Sequence, residues 1–263
     1  MRMIKTTHAR LASVEQGPAD GPAVVFINSL GTDVRVWDAL LPYLPAGWRI
    51  IRYDKRGHGL SDCPPGPYRM AELADDLVDL LDRLAVNRMA LVGLSIGGMI
   101  AQAVAARAPD RVRGLILCDT AARIGTEALW ADRIAAVQAG GIAAIESQIL
   151  SRWFSPTYHQ SYPDRVALWR HMLTRQPVEG YLGCCAALKD ADLTMTTAAL
   201  AVPALGLVGA DDGSTPPETV RATLALIANS RFHVIDQAGH LPGVEQPKTV
   251  ADLIVPFING LPA

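Results

Sequence analysis

A mostly parallel β-sheet covered by helices on both faces, with a helical cap inserted between two of its strands, is the α/β fold this sequence predicts. Three observations carry it. Short runs of β-branched and aliphatic residues recur along the chain, nearly apolar throughout, as strands buried on both faces are. Helical patterns separate these runs, and strand–helix alternation of this kind builds a parallel sheet between layers of helices. One long stretch, from about Ala121 to Thr197, contains no strand-like run and breaks the alternation. The chain therefore divides into a sheet-bearing core, residues 1–120 and 198–263, and a helical cap, residues 121–197.

The predicted strands are Ala23–Asn28 (AVVFIN), Arg49–Tyr53 (RIIRY), Met89–Gly93 (MALVG), Gly114–Asp119 (GLILCD), Ala204–Gly209 (ALGLVG) and Phe232–Asp236 (FHVID). Met70, Leu73, Leu77, Leu80, Leu81 and Leu84 recur at helical spacing and mark one apolar face of a helix. A second helix follows Ser95 in GGMIAQAVAARA. Thr215-Pro216-Pro217-Glu218 reads as a capping box with proline in the first helical position. The last helix carries Val250, Leu253, Ile254 and Phe257 on one face. In the cap, Trp130, Trp153 and Trp169 accompany several arginines.

Composition narrows the function. Half of the 263 residues are hydrophobic, enough for a large core. Net charge is −2 with no long run of one sign, which points away from nucleic acid and from anionic membrane surfaces. The N-terminal segment has no apolar core of a signal peptide, and no apolar run is long enough to span a bilayer. The four cysteines, Cys63, Cys118, Cys184 and Cys185, form no Cys-x-x-Cys pair; a reducing cytoplasm is the expected compartment. His and Cys spacings suggest no metal site, and no organic cofactor is expected. Oligomeric state is not legible in the sequence.

The chemistry centres on Gly93-Leu94-Ser95-Ile96-Gly97. A buried strand enters this segment and a helix leaves it, the setting a G-x-S-x-G nucleophile requires. The glycines allow a sharp turn that lifts the serine above the sheet edge. The free N–H groups at the start of the next helix favour a developing oxyanion there. Such a serine needs a base, and the base needs an acid to orient it. Of the six histidines, His240 lies in the loop between the last strand and the last helix and is the expected base. His233 falls within a strand and is expected to pack, His159 and His171 lie in the cap, and His8 sits near the N-terminus. The acid should come from GADDGSTPP, where Asp211 and Asp212 are adjacent and only one can orient the base. The backbone N–H groups of Ile96 and Leu30 are the expected oxyanion donors; Leu30 follows the first predicted strand. Arg56 and His58, in DKRGHG, are expected to serve their turn.

Over its whole length the chain resembles the α/β-hydrolases: NSLGTDVRVW, YDKRGHGLSD, GLSIGG, GADDGSTPP and AGH stand in that fold's order. It resembles in particular the 3-oxoadipate enol-lactonases, through Asn28–Asp33, LCDTAARIG (Leu117–Gly125), SRWF (Ser151–Phe154) and EGYLGCCAALKDADL (Glu179–Leu193). The family spacing, Gly209-x-x-Asp212 followed by Thr215-Pro216, selects Asp212 over Asp211. The resemblance implies opening of the enol-lactone to 3-oxoadipate in the β-ketoadipate route of aromatic degradation, without metal or cofactor. It also implies a small substrate bearing a carboxylate. Arg123, Arg133 and Arg152 are candidates to meet that charge, with Trp130 and Trp153 as apolar walls. A general carboxylesterase or thioesterase, a carbon–carbon bond hydrolase and a non-catalytic ligand receptor on the same fold stand as alternatives.

Overall fold

The computed structural model describes residues 1–262. Its strands are β1 (Arg2–Lys5), β2 (Arg10–Gln16), β3 (Ala23–Ile27), β4 (Arg49–Tyr53), β5 (Met89–Leu94), β6 (Val112–Cys118), β7 (Ala204–Gly209) and β8 (Ser230–Ile235). They form one eight-stranded sheet in the order β1-β2-β4-β3-β5-β6-β7-β8. From β4 to β8 every pairing is parallel, while β2 runs antiparallel to both β1 and β4. The six strands expected from the sequence are all present. The β1–β2 ribbon is an addition: β1 is short and mostly exposed, and β2 buries only Leu11, Ala12 and Ser13 between polar ends, so neither shows the apolar run that betrays a buried strand. His8 lies in the turn of this ribbon, between the end of β1 and the start of β2. His233 is exposed, not packed, because β8 is an edge strand with only its last residue buried.

Helices α1 (Met70–Arg83) and α2 (Ile96–Arg107) pack on each other, and α2 lies against β5 and β6. The buried residues of α1 include Met70, Leu73, Leu77, Leu80 and Leu81, the face its periodicity predicts. Between β6 and β7 come α3 (Glu127–Gly140), α4 (Glu146–Trp153), α5 (Pro156–Ser161), α6 (Pro163–Thr174), α7 (Val178–Asp190) and α8 (Thr194–Ala198). Helix α7 seats this group on the sheet: Tyr68 N–H donates to the Gly183 carbonyl at 3.3 Å, and a Cβ on Gly180 would lie 2.2 Å from the Gly57 carbonyl oxygen. The chain closes with α9 (Pro217–Leu224), α10 (Pro242–Glu245) and α11 (Pro247–Asn259). In α11 the buried stripe is Val250, Ala251, Ile254 and Ile258, with Leu253 and Phe257 at its margin.

The expected capping box at α9 does not form. The helix starts at Pro217 after Pro216, and the Thr215 hydroxyl is directed to Asp212 instead. No helix among the described residues is long and apolar enough to cross a membrane. Strand order reverses around β3, which lies between β4 and β5, and a crevice at the carboxyl ends of strands is expected at such a point. Both the loop after β3 and the turn after β5 open there.

Candidate active site

Ser95 joins β5 to α2 with φ +57° and ψ −121°, a conformation that side chains other than glycine rarely adopt. The turn is held from both sides. Ser95 N–H donates to the Cys118 carbonyl at 3.0 Å, and the Ser95 carbonyl accepts from Gly98 N–H at 2.8 Å and from the Thr120 hydroxyl at 2.6 Å. The two glycines of the motif have no room for a side chain: a Cβ on Gly93 would lie 2.4 Å from the Gly97 carbonyl oxygen, and one on Gly97 would lie 2.1 Å from that of Ile27. The obstructing atoms are main chain and cannot rotate away. Gly97→Ala should therefore destabilise by about 3 kcal/mol, the upper end of overpacking costs, and lower Tm by roughly 6–12 °C. Gly243, whose Cβ would meet nothing within 4 Å, is the control; thermal melts of both alanine variants check the contrast.

Asp212 follows β7 and His240 follows β8. His240 Nδ1 lies 2.9 Å from Asp212 Oδ2, with the two side chains 3% and 0% exposed. The other contacts of Asp212 are local. Its Oδ1 accepts from Ser214 N–H at 2.7 Å and Thr215 N–H at 3.1 Å, and its Oδ2 accepts from the Thr215 hydroxyl at 2.7 Å. Burial pushes the Asp212 carboxyl up. His240, the Thr215 hydroxyl and Ser214 N–H together outweigh it and hold the group below the usual carboxylate range. Asp211 is exposed, and its N–H donates to the Ala238 carbonyl. The His240 loop is fastened to the cap, with His240 N–H and Leu241 N–H donating to the Arg152 and Trp153 carbonyls at 3.4 and 3.2 Å. Glu245 accepts from Gly239 N–H at 2.7 Å and from the Ser155 hydroxyl at 2.6 Å, tying the same loop to α5.

A second carboxyl group stands behind this pair. Asp119, fully buried at the end of β6 with φ +47°, accepts from Gly209 N–H at 2.9 Å through Oδ1, while its Oδ2 has no hydrogen-bond partner. Ligand-type atoms of Asp119, Asp212 and His240 all lie within 4.8 Å of one another. Burial, and then the charge of Asp212, push Asp119 well above the usual carboxylate range. Asp119 is therefore the weaker acid of the two, and Asp212 the one that ionises more readily. Nothing in the sequence singled it out, because its significance lies in contacts with residues from other strands.

Ser95 and His240 line one small cavity of about 60 Å³ together with Ser29 and Leu30. Neither Leu30 N–H nor Ile96 N–H has a protein acceptor among the described residues. Cap side chains supply the opposite wall: Trp130 and Arg133 from α3, Arg152 and Trp153 from α4, and Tyr181 from α7. The Arg133 guanidinium sits 4.7 Å over the Trp130 ring. Neither Arg133 nor Arg152 has an ion-pair partner among the described residues. Arg123 departs from the expectation: it is half exposed, pairs with Asp192 at 3.3 Å and does not line the cavity. Its position before α3 turns it toward α8 and away from Ser95. Arg56 pairs with Asp76 in the core at 2.7 Å, whereas His58 does more than serve its turn, since its Nε2 accepts Gly31 N–H at 3.0 Å. A larger cleft, about 770 Å³, lies between α6 and residues Asp33–Ala39, and it contains none of Ser95, Asp212 or His240.

A serine on a strained strand–helix turn thus lines one cavity with the histidine of a buried His–Asp pair, an arrangement of the kind serine hydrolases use. Residues 24–253 match the Alpha/beta hydrolase family, and the chain belongs to that family. More narrowly, it is 36% identical to 3-oxoadipate enol-lactonase 2 of Acinetobacter baylyi over 232 residues, 88% of this chain and 86% of that one. It is 32% identical to 3-oxoadipate enol-lactonase 1 of the same organism over 260 residues, covering 98% and 97% of the two chains. Its fold superposes on the crystal structure of the enol-lactonase from Burkholderia xenovorans LB400 with a TM-score of 0.95, at 33% identity over 98% of this chain and 100% of that one.

Proposed function

We propose that this hydrolase opens a small lactone bearing a carboxylate, specifically 3-oxoadipate enol-lactone, to give 3-oxoadipate in the β-ketoadipate route of aromatic degradation. The observation that carries the reading is the pair of unpaired arginines, Arg133 and Arg152, on the cavity wall that faces Ser95. A guanidinium left without a carboxylate in a largely apolar pocket is matched by an anionic substrate group. Similarity to the enol-lactonases supports the same substrate class.

In this mechanism Ser95 attacks the lactone carbonyl while His240 takes its proton and Asp212 holds the imidazole in the tautomer that accepts at Nε2. The tetrahedral oxyanion is met by Leu30 N–H and Ile96 N–H. The ring opens to an acyl-enzyme and expels an enolate, a better leaving group than a simple alkoxide. That leaving group stays tethered, so ring closure competes with hydrolysis until the enolate takes up the proton held by His240, becomes a ketone and ceases to be a nucleophile. Water activated by His240 then releases the diacid and restores Ser95.

The test compares the natural acid lactone with its methyl ester in the wild type and in alanine variants of Arg133, Arg152 and Arg123. A charge-assisted contact is worth about 1.5–3 kcal/mol, so the acid should be preferred by roughly ten- to a hundredfold in kcat/KM. Loss of the reading arginine should remove the preference and leave activity on the neutral ester, while Arg123→Ala should change neither. Equal rates on acid and ester in the wild type would overturn the carboxylate reading and leave a general esterase.

A further inference from the structure

Leu30, in the loop after β3, lines the cavity and its N–H has no protein acceptor among the described residues, while the other side of the same peptide group is unusually engaged. Lys55, 2% exposed and placed just after β4, donates from Nζ to the Ser29 carbonyl oxygen at 2.7 Å. That oxygen also accepts from the Thr32 hydroxyl at 3.0 Å and from Thr32 N–H at 3.3 Å. Lys55 has no carboxylate within 4.0 Å among the described residues. The two nearest acids are committed elsewhere. Asp54 accepts from Val34 N–H and Leu60 N–H at 2.8 and 2.9 Å, and Asp33 pairs with Arg35. A buried ammonium thus spends its contact on a neutral peptide oxygen, an arrangement that costs desolvation without the return of an ion pair.

The Ser29 carbonyl and Leu30 N–H are the two ends of one trans peptide, conjugated through its C–N bond and pointing in opposite directions. A cation bonded at the oxygen draws electron density through that bond and makes the N–H a stronger donor. Gly31 N–H, the next donor along, is taken by His58 Nε2 at 3.0 Å. Burial, and then the charge of Lys55, keep His58 neutral, so that nitrogen accepts. Leu30 N–H, on a residue that lines the cavity, is left without a protein acceptor among the described residues.

We propose that Lys55 is a positioning residue for the oxyanion site, fixing the Ser29–Leu30 peptide and polarising it so that Leu30 N–H meets the negative charge formed when Ser95 attacks. This rests on the reading of Ser95 as the nucleophile. Burial pulls the Lys55 ammonium down to about 8. The groups that face it are Asp54, Asp33, Cys184 and His58. Cys184 is pushed up to about 12 by burial and His58 lies well below its ordinary value, so neither changes charge near pH 8. Above that pH Lys55 loses its proton, and with it the polarising charge.

The experiment uses the full chain with Lys55→Met and, as a neutral donor of similar reach, Lys55→Gln. Four quantities are read: kcat and KM on an aryl ester from pH 6 to 10, the rate at which a fluorophosphonate labels Ser95, and Tm at pH 7. Outright loss of an oxyanion donor costs on the order of 10²–10³ in kcat, so weakening one should lower kcat about ten- to a hundredfold. KM should stay within about twofold, and labelling should slow by a similar factor to kcat. The alkaline fall near pH 8 should be present in the wild type and absent from both variants. Tm should not drop, since a buried charge has been removed. Unchanged kcat and labelling rate, or losses that track a fall in Tm, would overturn the proposal. Failure of the probe to label wild-type Ser95 would instead sink the nucleophile reading beneath it.

Discussion

Ser95→Ala should abolish turnover, lowering kcat by about 10⁴–10⁶, while leaving the sheet and cap intact. The side chain removed is one hydroxyl group that makes no hydrogen bond to protein among the described residues, so no partner is orphaned. Alanine keeps the same Cβ and the same φ of +57°, and the strain of the turn is carried over unchanged. Stability should therefore differ little. Kinetics on an aryl ester and on the enol-lactone, beside a thermal melt, make the check. A folded variant with near-wild-type hydrolysis would remove the serine mechanism altogether. The residual rate of the variant reports what the backbone donors and the pocket contribute on their own.

Asp212→Asn should lower kcat by about 10⁴, the cost of neutralising the orienting acid in serine proteases, and Asp211→Asn should be close to neutral. The geometry gives the reason. An amide at position 212 can still accept from Ser214 and Thr215 N–H through its oxygen. Its NH₂ then replaces Oδ2, which faces both the Thr215 hydroxyl and His240 Nδ1. A donor there forces the imidazole into the tautomer whose Nε2 carries the proton, and the base is lost. Asp211, exposed and one residue away, touches neither group. The variant should also change the pH dependence of stability. A carboxyl held below its unfolded value near 3.9 contributes stability that is fully present above that pH and is lost as pH falls through the lower folded value. The Tm gap between wild type and Asp212→Asn should accordingly narrow on acidification through this range. If instead Asp211→Asn is the crippled enzyme, the acid has been placed one residue too late.

Much of the architecture is legible because burial leaves a periodic trace. β3, β5 and β7 are buried at every position and read as uninterrupted apolar runs. Helix α1 shows its inner face as leucines at helical spacing. The β1–β2 ribbon leaves no such trace, since β1 is an exposed edge strand and β2, paired between β1 and β4, buries only Leu11, Ala12 and Ser13 between polar ends. Thr215 shows how a local rule is overridden. Its sequence context is that of a helix cap, but in the folded chain its hydroxyl has a buried carboxylate within 2.7 Å, and the charge-assisted bond prevails. The three candidate arginines of the cap, Arg123, Arg133 and Arg152, read alike in sequence. Only their azimuth on α3 and α4, or their position before α3, separates Arg133 and Arg152 from Arg123.

By itself the sequence determined the strand and helix succession, the place of Ser95 between a buried strand and a helix, and the order serine, acid, histidine along the chain. These are properties of neighbouring residues: apolar periodicity, glycines two positions either side of a serine, and turns at strand ends. The tertiary structure decided which groups meet. It set Asp119 beside Asp212, sent Lys55 to the Ser29 carbonyl, placed His58 under Gly31, and turned two arginines of three toward the cavity. Each of those contacts joins segments that are distant along the chain. Local patterns report whether a residue is buried, whereas its partner is chosen by how strands and helices stack, and that stacking is a property of the whole sheet.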